Sequence, residues 1–125
     1  MVKSVVTIII TVIFLTVGAI FEQTYILKEF EEFSIITKTM IVKAENETAT
    51  EEDIINLQKN WEEKKRYLHA FIPHNEIKEI GLWISEAIAF TKYENYEELT
   101  DKLKVLYDLS VQVPNQFLVR FENIF

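Results

Sequence analysis

The chain opens with an unbroken apolar block and then changes to a rhythm of three- and four-residue steps. From Ser4 to Phe21, SVVTIIITVIFLTVGAIF, no side chain carries a charge. A helix of that length rises about 27 Å, close to the hydrocarbon thickness of a bilayer. Its apolar residues favour insertion by roughly 4–6 kcal/mol in sum, and Thr7, Thr11, Thr16 and Gly18 take back only part of that. Lys3 precedes the block, and Tyr25 lies just past it, where an interfacial aromatic belongs. The pattern predicts a transmembrane signal-anchor over residues 1–21. A cleaved signal peptide is the alternative, with Val17-Gly18-Ala19 as the cleavage site. The apolar run is longer than a usual signal core, however, and the helical pattern continues beyond Ala19.

Past the anchor, residues 22–125 read as a helical domain. Ile26, Phe30, Phe33, Thr37, Met40 and Ala44 form the stripe of an amphipathic helix that continues the membrane segment without a break. The polar stretch ENETAT ends it. Thr50, with Asp53 three residues on, predicts the capping box of a second helix. That helix carries Ile54, Leu57, Trp61, Leu68 and Phe71 on one face and stops at Pro73. Asn75 is the expected cap of a third helix with Ile77, Ile80, Ile84, Ala87 and Ile88. Asn95, with Glu98 at the third helical position, caps a fourth with Tyr96, Leu99, Leu103, Leu106 and Val113. Pro114 is expected to end it, leaving NQFLVRFENIF as a short final helix. Matched lengths and short connections predict an all-α fold, an up-down antiparallel bundle of about four helices plus that short one.

Composition narrows the function classes. Every acidic residue lies beyond the anchor, where 20 acids face 12 bases once Lys3 is set aside, a formal charge of −8. No nucleic-acid partner is expected, since phosphate binding needs a basic surface. Without cysteine there is no disulfide framework, thiolate metal site or cysteine nucleophile. Asn46-Glu47-Thr48 matches a glycosylation acceptor, a pattern short enough to recur by chance. Lys3 and the terminal amine on one flank, against Lys28 and Lys38 on the other, favour an inside N-terminus and an extracytoplasmic domain.

Candidate chemistry is sparse. The only histidines, His69 and His74, flank Pro73 in RYLHAFIPHNEI. Helical zinc pairs use a spacing of four on one unbroken helix, so five across a proline reads as a corner between helices, with His69 in the last turn of one and His74 in the turn itself. The bundle places this corner at the end nearest the membrane. WEEKKRY reads as a solvated helix face with weak i,i+4 pairing. No activated nucleophile, glycine-rich phosphate loop or cofactor motif is present, so no enzyme activity, metal or cofactor is expected. The third helix, IGLWISEAIAF, is apolar around most of its circumference. Trp83 and Phe90 therefore fit either a helix buried on several sides or a contact with a partner or second copy. Phe117, Phe121 and Phe125 fit either a cap on the bundle base or a surface against the membrane or a membrane partner. Thr7 and Thr11 make a small-xxx-small pair too common to predict dimerisation.

From Trp61 onward, NWEEKKRYLHAFIPHNEIKEI, an apolar third helix, YEEL after a turn, VQVPNQF and a final ENIF together resemble a family of small single-span proteins of spore-forming bacteria, domain of unknown function 4363. The resemblance implies an N-terminal anchor and a helical domain outside the cytoplasmic membrane. It implies no activity, cofactor or functional residue. The expected function is a non-catalytic accessory or structural subunit at the cell envelope, contacting a multi-span membrane protein or a second copy of itself. The alternative is a ligand-binding bundle that holds a small apolar molecule or a metal.

Overall fold

The computed structural model describes residues 1–124, with side chains as far as Leu118. It contains α1 (Val2–Glu45), α2 (Glu51–Leu68), α3 (His74–Lys92) and α4 (Tyr96–Ile124), with no strand among the described residues. Each helix packs on its two neighbours in the cyclic order α1, α2, α3, α4, which is an up-down bundle.

Helix α1 runs 44 residues, about 66 Å, from the apolar block into the bundle without interruption. The two parts differ only in what surrounds them. The apolar window is entirely unburied, and the helix is long and apolar enough there to cross a membrane. Further along, Ile26, Phe30, Phe33, Thr37 and Ala44 are buried, as their spacing predicts. The hydroxyls of Thr7, Thr11 and Thr16 each donate to the carbonyl four residues back, at 2.8 Å. These polar groups are thus satisfied within the helix, as a lipid environment demands.

The helix ends explain the turns. Asn46 caps α1, Glu47 takes a left-handed φ of 57°, and the Thr48 N–H donates to the Lys43 carbonyl at 2.8 Å. Helix α3 ends the same way, with Glu94 at φ 53° and Asn95 N–H donating to Phe90 O. Both are six-to-one closures usually made by glycine, so the side chain at each costs roughly 1 kcal/mol. Thr50 accepts from Asp53 N–H while its own N–H donates to Asp53 Oδ2, completing the predicted capping box. That backbone N–H, opposed by partial burial and helped by Lys43, holds the Asp53 carboxyl below its usual range. Asn95 Oδ1 likewise accepts from Glu98 N–H.

Three expectations are corrected. Helix α2 stops at Leu68, and the chain turns through N–H bonds from Phe71 and Ile72 to Leu68 O, so Phe71 leaves the core stripe and is 39% exposed. His69 is consequently the C-cap of α2 and His74 the first residue of α3. Asn75 therefore lies inside α3, whose N-cap is Pro73 with no side-chain cap; the Pro73 carbonyl takes the Glu76 and Ile77 N–H groups instead. Finally, α4 continues through Pro114 to Ile124, so there is no separate final helix. A proline inside a helix forfeits one backbone bond and costs about 3 kcal/mol. Here the proline is buried on the side of α4 that faces Leu27 and Phe30 of α1.

Candidate functional site

The α2–α3 corner lies beside the end of the apolar segment, as the bundle geometry predicts. On one wall stand Phe21, Glu22 and Tyr25 of α1; on the other stand Arg66, Tyr67 and Phe71. Between them runs an open groove of about 670 Å³, reaching Gly18 at one end. Phe21 is 73% exposed and Tyr67 61%, so its apolar surface is not covered by the bundle itself. Among the described residues Arg66 and Glu22 take part in no ion pair. Burial, helped by the Glu29 carboxylate, pushes the Tyr25 hydroxyl above its ordinary pKa.

Below this groove, Lys64 is buried between α1 and α2. Its Nζ lies 2.9 Å from both Glu29 Oε2 and Glu32 Oε2. Burial works against the ammonium, but the two carboxylates outweigh it and hold Lys64 above its ordinary pKa. Glu32 is correspondingly held below the usual carboxylate range, first by its bond to Lys64. Within WEEKKRY, Glu62, Glu63, Arg66 and Tyr67 are exposed as expected, whereas Trp61 and Lys64 are buried. The spacing Ile54, Leu57, Trp61, Lys64, Leu68 puts Lys64 on the core stripe, a signal present in the sequence.

The two histidines meet. His69 Nε2 lies 3.1 Å from His74 Nδ1, one ring donating to the other, and so the corner is closed by an imidazole pair. No third histidine or carboxylate joins them in a metal-holding group among the described residues.

Trp83 and Phe90 lie together, half-buried against the core, on the α3–α4 seam. Lys102 covers both, its Nζ 5.2 Å from the Trp83 ring and 5.7 Å from that of Phe90. Within 4.0 Å it also meets Glu86 and Glu98. The Trp83 indole N–H is buried with no acceptor, and Leu82 beside it is 58% exposed. Phe117 is half-buried against the core. The Phe121 side chain and Phe125 lie outside the described residues.

Residues 21–124 match the model of the domain of unknown function DUF4363. The chain belongs to this family. No curated protein and no solved structure matches it. The family match spans all of the bundle, including the corner, the buried lysine and the Trp83–Phe90 seam.

Proposed function

We propose that this DUF4363 protein is a single-span membrane protein whose helical bundle stands on the extracytoplasmic face and acts as a non-catalytic accessory or structural partner there. The observation that carries this reading is α1, one helix that is lipid-compatible and uncovered at its start and core-forming at its end. With no linker between the two parts, the bundle is held at a fixed height and rotation above the bilayer. Such an arrangement suits presenting a surface to a neighbouring membrane protein. Lys3 on the short N-terminal flank supports the inside position of that end.

The lateral contact is placed on the outer side of α3. Leu82 is exposed there beside the half-buried Trp83 and Phe90, so the three side chains offer apolar surface to a partner. Membranes carrying the full chain should yield, after mild chemical cross-linking, one stoichiometric complex that is either a dimer or a defined membrane partner. The doubly substituted Trp83→Ala/Phe90→Ala chain should lose it about tenfold or more while keeping its far-UV helicity, the size expected of two central aromatic anchors. An uncomplexed monomer at native abundance would contradict the interaction role.

A further inference from the structure

The groove beside the α2–α3 corner has apolar walls, with Arg66 and Glu22 unpaired among the described residues, and it opens where α1 leaves its charge-free stretch. We propose that it binds one phospholipid of the leaflet surrounding the span, with an acyl chain along Phe21, Tyr25 and Phe71 and the phosphodiester on Arg66. This rests on the membrane-anchor reading above.

Position selects the occupant. Gly18 lies within the charge-free block and Glu22 is the first acid after it, so about 10 Å of helix between Gly18 and Tyr25 crosses from hydrocarbon to headgroup depth. A Cβ at Gly18 would meet nothing within 4 Å, so the groove is open at its hydrocarbon end. At that depth lipid is the solvent, and an exposed aromatic wall continuous with the span is wetted by acyl chains.

Charge selects the headgroup. Nearby Lys64 and Lys65 are engaged by Glu29, Glu32 and Glu62, whereas Arg66 has no carboxylate partner among the described residues. A guanidinium offers the planar two-pronged donor set that suits a phosphate. Glu22 on the opposite wall is half-buried and also without an ion-pair partner among the described residues, matching the ammonium of an aminophospholipid. Helix α4 meets α1 along Leu27, Phe30, Glu31 and Ser34, a different flank from Gly18, Phe21, Glu22 and Tyr25.

The test uses the full chain in vesicles of phosphatidylethanolamine and phosphatidylglycerol. The photoreactive residue p-benzoylphenylalanine is placed at Ala70 in the groove or, separately, at Phe14 in the span, and cross-linked products are identified by mass spectrometry. Both positions should capture phospholipid, with phosphatidylethanolamine enriched over its share of the vesicle only at Ala70. Arg66→Glu should lower capture at Ala70 about tenfold, the weight of one charge-assisted contact, and leave Phe14 unchanged. Arg66 is exposed, so this substitution leaves the core intact. If Phe14 captures lipid while Ala70 captures only protein, or captures lipid regardless of Arg66, the lipid site is wrong and the anchor stands. Failure at Phe14 overturns the anchor and the site together.

Discussion

Replacing Trp61 by alanine is expected to cost about 3–5 kcal/mol, the largest loss of any single substitution in the bundle. Trp61 is fully buried and lies between α1 and the rest of α2, its ring centroid 5.1 Å from Phe33 and 6.1 Å from Phe30 in tilted contacts. Truncation removes the indole, both ring contacts and the filling between two helices that have no cross-link. Against a total stability of about 5–15 kcal/mol for a domain, that is about a fifth or more of what holds the bundle together. Thermal unfolding of the full chain in detergent, followed by far-UV circular dichroism, should show Tm falling by more than about 10 °C. Trp61→Phe should cost far less, about 1–2 kcal/mol, because it keeps an aromatic ring and also removes an indole N–H that has no acceptor. Equal losses from the two substitutions would mean that the ring contacts contribute little.

Lys64→Ala is expected to cost about 2–4 kcal/mol near neutral pH, because it leaves Glu29 and Glu32 facing each other without their shared cation. The stem of Lys64 is buried, while Glu32 is half exposed to water, which keeps the loss below that of a fully enclosed ion pair. The direction of each pKa shift sets the pH dependence. Lys64 is raised, so its contribution is present below the ordinary lysine range and is lost only as alkali deprotonates it in the folded state. Glu32 is lowered, so its contribution is present above the ordinary carboxylate range and is lost as acid protonates it. Denaturant titrations should therefore find the wild-type advantage over Lys64→Ala largest between about pH 6 and 9 and shrinking below about pH 4. A difference that does not change with pH would assign the loss to the stem's packing alone.

The contrast between these two residues shows where the sequence was transparent. Trp61 sits on an apolar stripe, and apolar periodicity reports burial directly, as it does for Ile26, Phe30 and Phe33 on α1 and for Leu99, Leu103 and Leu106 on α4. Lys64 occupies the same stripe but was assigned to water by its charge. Its burial depends on two carboxylates 32 and 35 residues away, a pairing no local window contains. Pro114 reads as a stop because a proline costs a helix bond; its burial facing α1 is a tertiary fact. The Thr50–Asp53 capping box and the Asn95 cap were legible because each is decided within four residues. Asn75 carried the same local signal, yet the helix starts one residue before it. The turn after Leu68 was not legible, since it is closed by backbone bonds that any sequence can make. The corner between the histidines was anticipated, yet their 3.1 Å contact was not, since a spacing of five across a proline fixes no distance. The groove beside them was invisible for the same reason: its walls come from positions more than forty residues apart.

A bundle fixed to the outer face of a membrane by one continuous helix is the central claim, and the absence of native cysteine makes it directly measurable. Ser85 is exposed on α3, its hydroxyl donating to the carbonyl of Gly81, so Ser85→Cys introduces a single accessible thiol without disturbing the core. Intact cells expressing the full chain are treated with a membrane-impermeant maleimide, and medium, membrane fraction and lysate are compared. The account predicts labelling of intact cells, with the labelled full-length chain in the membrane fraction and resistant to carbonate extraction. Labelling that appears only after lysis would contradict the outward orientation, and labelled chain released to the medium would contradict the anchor.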